Sequence, residues 1–213
     1  MSAAREQMVS QQVRTCDVLD PATLEALREV PRERFVPAAW SAYANAEFAV
    51  PLARGKRMLT PLMIGQIVQA LAPSPGEQAL EVGTGSGYLS ACLARLGASV
   101  RSLELHADLA AQARTNLAAA QVSNVTVEVA DGTLLDENAR YDCIVLTGSL
   151  PLPDERYQRA LKENGRLFLV QGTGVIMQAE RIVRVDGAFR SQVLFQTRLE
   201  ALENAPAPPL FRF

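Results

Sequence analysis

The residues best suited to chemistry stand between Glu81 and Tyr88, in the run Glu-Val-Gly-Thr-Gly-Ser-Gly-Tyr. A carboxylate is followed at two-residue intervals by Gly83, Gly85 and Gly87, with Thr84 and Ser86 between them. Glycine reaches positive φ at no steric cost and puts no side chain between the main chain and a ligand. A ligand can therefore lie against the backbone itself. In the dinucleotide fingerprint the third glycine comes three residues after the second, and a pyrophosphate rests on a helix N-terminus. Here it comes two after, and position 88 is Tyr. The spacing argues against a nicotinamide cofactor. Taken alone, the triplet leaves a bare tight turn open.

The elements that hold this run are legible on either side of it. Gln78 to Val82 is a short apolar run suited to a buried strand, and Leu89 to Leu96 has helical apolar spacing. Further strands are expected over Ser99 to Leu105, Val125 to Ala130, Asp142 to Thr147 and Arg166 to Val170. Helices are expected over Ala107 to Ala120 and Asp154 to Leu161. Such alternation predicts an α/β fold with a parallel sheet, helices on both faces and right-handed crossovers. Ala179 to Val185, the turn Asp186-Gly187 and Ser191 to Leu199 read as an antiparallel hairpin that finishes the sheet. The Pro/Ala-rich tail, Asn204 to Pro209, is expected to be extended.

Ahead of the sheet, residues 1–75 are read as a helical cap integral to one compact unit, with residues 76–213 as the cofactor-binding domain. Ala3 to Thr15 has helical spacing, and Pro21 to Val30 opens with Asp20 as N-cap and Pro21 at N1. A loop-rich stretch follows, before an apolar helix over Leu62 to Leu71.

In open α/β sheets ligands bind at the carboxyl ends of the strands. The groups expected there are Glu81 with the glycine run, Glu104 and Leu105, Asp131 and Gly132, and Thr147. A carboxylate at Glu104 can accept from both hydroxyls of a ribose, and Asp131 can accept from an adenine amino group while Gly132 lets the loop approach the ring. Singly, Glu104 reads equally as a solvated strand end and Asp131-Gly132 as an ordinary turn. Together, in this order, they favour a nucleoside. S-adenosyl-L-methionine carries a sulfonium cation and no phosphate, so it suits an acid-lined pocket. His106 is read as a pocket-edge or surface residue rather than a base.

Composition narrows the field. The chain has 213 residues, 48% of them hydrophobic and 21% charged, with a net charge of −2. No basic stripe points to nucleic acid, and no run nears the roughly 18 apolar residues of a membrane span. The first residues lack the apolar core of a signal peptide, so a cytoplasmic protein is expected. One histidine and the scattered Cys16, Cys92 and Cys143 argue against a metal site or a disulfide framework.

Several segments are shared with a known family. They are Met8-Val9-Ser10-Gln11-Gln12-Val13-Arg14, Val30-Pro31-Arg32-Glu33-Arg34-Phe35-Val36-Pro37, the Glu81 to Tyr88 run, Asn124-Val125, Asp131-Gly132, Tyr141 to Thr147 and Leu161 to Leu167. Through them the chain resembles the protein-L-isoaspartate O-methyltransferase family over nearly its whole length. The glycine run is common to many methyltransferases, whereas Val-Pro-Arg-Glu-Arg-Phe-Val-Pro is more particular to this one. The resemblance implies a Rossmann-like S-adenosylmethionine-dependent methyltransferase fold. It places the cofactor on Glu81, Gly83, Thr84, Gly85, Ser86, Gly87, Glu104, Leu105, Asp131, Gly132 and Thr147. It also implies a cytosolic monomer that methylates the carboxylate of isoaspartyl residues in damaged proteins, with neither nucleic acid nor membrane as partner.

The chain departs from the family where substrate is handled. Aligned on Gly55 and Pro61, the family's Gly-x-Thr-x-Ser-x-Pro loop has Arg57 at the threonine and Leu59 at the serine. Thr60, one residue on, is the candidate catalytic hydroxyl. The loop after the fourth strand, Gly148-Ser149-Leu150-Pro151, and the stretch Phe195 to Leu199 also differ from the family pattern. A carboxylate acceptor is ionised at neutral pH and needs no general base. Leu59 nevertheless brings apolar bulk to where a charged group should sit. Lys56 and Arg57 either compensate or mark a different acidic acceptor. Three readings stay open: isoaspartyl repair, a methyltransferase for another acceptor, and a cofactor-binding relative without repair activity.

Overall fold

The computed structural model of the chain describes residues 2–208. Helix α1 (Ala3–Gln7) runs straight into a π-helical turn over Met8–Val13 and a 3-10 turn at Arg14–Cys16. The rod expected over Ala3 to Thr15 is thus present, but it widens in its middle. Ser10 Oγ donates to the Glu6 carbonyl at 2.7 Å, the kind of back-bond that competes with the regular helical ladder. Helix α2 (Pro21–Glu29) begins as expected, with Asp20 Oδ2 accepting from Thr23 N at 2.7 Å. Short 3-10 turns at Arg32–Arg34, Ala38–Tyr43 and Ala53–Gly55 lead to α3 (Pro61–Leu71).

Then the alternation sets in: β1 (Gln78–Val82), α4 (Tyr88–Arg95), β2 (Ser99–Glu104), α5 (Ala107–Ala119), β3 (Val125–Val129) and β4 (Tyr141–Leu150). After α6 (Arg156–Arg159) come β5 (Leu161–Gln171), β6 (Met177–Val185) and β7 (Ala188–Thr197). One seven-stranded sheet results, in the order β3-β2-β1-β4-β5-β6-β7. The first five strands are parallel, and β6 and β7 are antiparallel additions. Strand order reverses between β1 and β4, which puts the glycine run at the switch point.

Four boundaries depart from the sequence reading, one of them β7, which spans Ala188–Thr197 where Ser191 to Leu199 is expected, because pairing with β6 continues down to the turn at Val185 and Ala188. The helix expected over Asp154 to Leu161 shrinks to α6, because Leu161 already pairs with Tyr141 and the chain from there is strand. β5 accordingly starts before Arg166, and Asn164 takes a φ of 61° beside Gly165 where the strand jogs. β4 runs on past Thr147 to Leu150 through a register shift between Val145 and Ser149. In the tail, residues 205–208 carry no regular element, and Pro209 lies outside the described residues.

Alternation along the strands sorts the core into two layers. Ala79, Cys143, Val145, Phe168 and Val170 join Met8, Val13, Leu27, Ile67 and Leu71 of the N-terminal segment in one buried cluster. Leu80, Val82, Ile144, Leu146, Leu167 and Leu169 join Tyr157 on the other face. The N-terminal segment therefore packs on the sheet through a shared core, and one wall of the site comes from it.

Candidate cofactor and acceptor pocket

A single cavity of about 840 Å³ opens above the carboxyl ends of β1, β2 and β4, and Glu81, Gly83, Thr84, Gly85, Ser86, Glu104, Leu105, Asp131, Gly132 and Thr147 all line it. That is a volume suited to a small organic ligand. Gly87 stands at the N-cap of α4 with a φ of 85°. Gly83 and Gly85 have φ of 94° and 54°, so the backbone here needs glycine. At Gly83 space adds a second reason. A Cβ there would run into Thr147 Oγ1, which instead donates to the carbonyls of Gly83 (2.7 Å) and Val82 (3.0 Å). Thr147 thus pins the glycine loop.

The three acids differ in how they are held. Glu81 is fully buried, and its Oε2 accepts from Ser90 Oγ and, at 2.6 Å, from Ser102 Oγ. Strand register explains the second bond, since Glu81 and Ser102 are direct partners across β1 and β2. Ser102 has given its one proton to Glu81, so Thr84, 2.6 Å away, must donate to it in turn. Glu81 Oε1 finds no partner among the described residues. Burial pushes the Glu81 carboxyl up to about 7, the Glu104 charge adds to this, and the two serine hydroxyls work against it.

Glu104 holds two backbone amides, Gly85 N on Oε2 at 2.9 Å and His106 N on Oε1 at 3.1 Å. Each oxygen keeps a lone pair for a further donor. Asp131 caps its own turn, Oδ1 accepting from Thr133 N and Oγ1, while Oδ2 accepts from Asn204 Nδ2 at 2.8 Å. Those bonds and the nearby Arg156 hold its carboxyl below the usual range despite partial burial. Gly132 is packed so that a Cβ would collide with Val82, and its carbonyl accepts from the buried Tyr157 hydroxyl at 3.1 Å.

The roof comes from parts of the chain the sequence reading had not joined to the site. The segment after β7 folds back: Ser149 N donates to the Glu200 carbonyl (2.8 Å), Leu202 N to the Ser149 carbonyl (3.0 Å), and Leu202 packs against Gly148. Glu203 takes Lys56 at 2.8 Å and His106 Nε2 at 3.0 Å, and Arg54 clasps Asp108 at 2.7 Å. Arg54 is thereby tied to α5 and Lys56 to the C-terminal segment, and His106 sits at the pocket edge.

On the acceptor side, Arg57, Met58, Leu59 and Thr60 line the same cavity. Leu59 is half-buried and packs on the core. Thr60 is the N-cap of α3, its Oγ1 accepting from Met63 N at 3.3 Å, which leaves the hydroxyl proton free to donate elsewhere. Arg32 is fully buried behind this loop. Its Nη2 donates to the Leu59 carbonyl at 2.7 Å and its Nε to the Ala44 carbonyl at 2.9 Å, with the guanidinium 4.9 Å from the Tyr88 ring centre. Burial lowers its pKa.

Sequence reasoning missed Ser90, Ser102, Arg32 and the segment from Leu199 to Asn204. Ser102 alone carried a local signal, a small hydroxyl residue two places before Glu104 in the strand that neighbours Glu81. The residues present fit a sulfonium nucleoside: an unpartnered buried carboxylate oxygen at Glu81, a glycine cradle, and two further carboxylates with lone pairs to spare.

Comparison with known proteins agrees with this geometry. A family model described as Protein-L-isoaspartate(D-aspartate) O-methyltransferase matches residues 3–200. Protein-L-isoaspartate O-methyltransferase 2 of Pelobacter propionicus is 36% identical over 204 residues, which is 94% of this chain and 91% of that one. The Methanoregula boonei protein-L-isoaspartate O-methyltransferase is 36% identical over 188 residues, 88% and 86% of the two chains. Among solved structures, a Plasmodium falciparum chain assigned as a beta-aspartate methyltransferase, in complex with S-adenosyl-L-homocysteine, superposes with a TM-score of 0.82. It shares 20% identity over 93% of this chain and 98% of its own, a likeness of fold.

Proposed function

The chain belongs to the protein-L-isoaspartate(D-aspartate) O-methyltransferase family, and from that membership we propose that it methylates the carboxylate of isoaspartyl residues in damaged polypeptides. Its cofactor is S-adenosyl-L-methionine. The observation that carries the reading is the meeting of Glu81, Glu104 and Asp131 with the glycine loop in one cavity whose other wall is the loop from Arg57 to Thr60.

In this reading Glu104 takes the ribose hydroxyls on the lone pairs its two amides leave free, and Asp131 accepts from the adenine amino group beside Asn204. Glu81 Oε1 faces the cationic end of the ligand. Gly83, Thr84, Gly85, Ser86 and Gly87 form the cradle, Leu105 and Gly132 line the ring, and Thr147 keeps the loop in shape. When bound, the cofactor supplies a methyl group on sulfur, which passes to an acceptor carboxylate oxygen and leaves a neutral thioether. No proton has to be removed from the acceptor, because it is already ionised at neutral pH. The protein's contribution is alignment, an effect that can reach roughly 7 to 11 kcal/mol in well-oriented systems. Thr60 Oγ, still accepting from Met63 N, donates its proton to the acceptor carboxylate and stands in for the hydroxyl that Leu59 lacks. The reading places the protein in the cytoplasm as a monomer, with damaged polypeptides rather than nucleic acid or membrane as partners. Among the described residues, no helix is long and apolar enough to cross a membrane.

Leu59 favours one competing reading, methyl transfer to a different carboxylate. The test is transfer of labelled methyl to matched peptides that differ only in carrying isoaspartate or aspartate. Incorporation confined to the isoaspartyl peptide supports repair. No incorporation, with transfer to another carboxylic acid, replaces it.

A further inference from the structure

Charge around the cavity is unevenly spent. Of its side-chain cations, Lys56 is paired with Glu203 and Arg32 is buried against two backbone carbonyls. Arg57 and Arg198 also line the cavity, are exposed to solvent, and have no acidic partner within 4 Å among the described residues. Glu200, exposed on the same lining, reaches neither of them to that distance. The two arginines come from segments far apart in sequence. Arg57 sits in the acceptor loop, its backbone bridged to Pro51, and Arg198 follows the end of β7.

The loop between β5 and β6 adds an apolar lip. Val175 lines the cavity yet is 77% exposed, and Ile176 beside it is 66% exposed. Gly172 and Gly174 precede them with φ of 130° and 95°, and nothing lies within 4 Å of a Cβ built on Gly174. An apolar lip beside two unpaired guanidinium groups suits a polypeptide with both apolar and anionic side chains more than a bare small acid. Guanidinium also matches carboxylate geometry with paired N–H donors.

We propose that Arg57 and Arg198 select polypeptide acceptors that carry an acidic side chain within a residue or two of the carboxylate to be methylated. The inference rests on the methyl-transfer reading above and adds a substrate preference to it. Exposed pairs of this kind are modest and salt-sensitive, so the preference should be about three- to tenfold at low salt and fade as the screening length drops toward ~3 Å near 1 M salt.

The experiment uses three isoaspartyl peptides that differ only in the residue after the isoaspartate: Glu, Gln or Lys. For the wild-type chain kcat/KM should fall in that order. In the Arg57→Glu/Arg198→Glu double variant the order should invert, with affinity for S-adenosyl-L-homocysteine within about twofold of wild type, since a change confined to folding would lower all three rates together. Equal rates for the three peptides, or an order that neither salt nor charge reversal alters, would overturn the preference while leaving methyl transfer standing. No transfer to any peptide by the wild type would remove the isoaspartyl reading and this inference with it.

Discussion

The two ends of the cavity are built on opposite plans. At the strand tips every polar group is braced by the protein: Glu104 by two amides, Asp131 by Thr133 and Asn204, Thr147 by two carbonyls, Glu81 by two serines. At the acceptor end, apart from Thr60 capping α3, the presented side chains are apolar or without an ion pair among the described residues: Leu59, Arg57, Arg198 and Val175. A ligand that never changes rewards fixed donors and acceptors, because preorganisation lowers what binding must spend on ordering. An acceptor that differs from one damaged protein to the next rewards a rim that can adapt. The contrast also lets Leu59 stand in the loop without disturbing the residues proposed to hold the cofactor: among the described residues the two sets share almost no hydrogen bonds.

The contrast is broken most severely at the glycines. Gly83→Val sets a β-branched residue at a φ of 94° and drives its side chain into Thr147, so unfolding in urea should show a loss of about 3 kcal/mol or more, and binding of S-adenosyl-L-homocysteine should vanish. Gly174→Ala has a similar φ and open space around it, and should cost only about 1 kcal/mol with binding intact. Equal losses at the two sites would erase the distinction between braced and adaptable ends.

Next comes Glu81. Its carboxyl is held protonated in the fold up to about 7, against an ordinary value of 4.5, so the folded chain binds more protons than the unfolded one between those limits. The associated stability is full below pH ~4.5 and lost as pH rises to about 7, a change on the order of 3 kcal/mol. Glu77, Glu128 and Asp131 are shifted the other way, and their stabilisation is lost only as pH falls below the ordinary carboxylate range. Denaturation midpoints followed from pH 4.5 to 8 should therefore slope downward in the wild type and flatten in Glu81→Gln. An unchanged slope in the variant would assign the titration to another group.

Glu104→Ala should weaken S-adenosyl-L-homocysteine by about 1 to 3 kcal/mol in calorimetry, the range for a hydrogen bond to a charged group. Unaltered affinity would put the ribose elsewhere. The smallest effect is at Thr60. Thr60→Ala removes a helix cap worth about 1 kcal/mol and should also lower kcat for the isoaspartyl peptide, with Thr60→Ser restoring both. If stability falls and turnover does not, Thr60 is a cap alone.

What could be read from the sequence divides along the same line. Strand, glycine turn and helix around Gly83 follow from consecutive residues, and so do the strand-tip positions of Glu104, Asp131 and Thr147. Short apolar runs alternating with helical stretches placed β1, β2 and β3 to within a residue. The misjudged boundaries, α6 and the start of β5, fall where Leu161 pairs with Tyr141 of β4, so that the polar stretch Lys162 to Asn164 becomes a jog within the strand, and no local pattern announces that pairing. Arg32 stands in a proline-bounded segment for which the sequence suggests no partner, yet it is buried, because its partners are carbonyls at Ala44 and Leu59, and backbone acceptors leave no mark in sequence. The segment around Glu203 read as the approach to an extended tail. Its function as a roof depends on Lys56, His106, Ser149 and Asp131, each 50 or more residues from its partner there.

The most direct test is a crystal of this protein soaked with S-adenosyl-L-homocysteine. The account expects the ribose on Glu104, the adenine edge at Asp131 and the amino-acid end over the loop from Gly83 to Gly87. Density for the ligand in any other cleft, or a cavity left empty at saturating concentration, would contradict it.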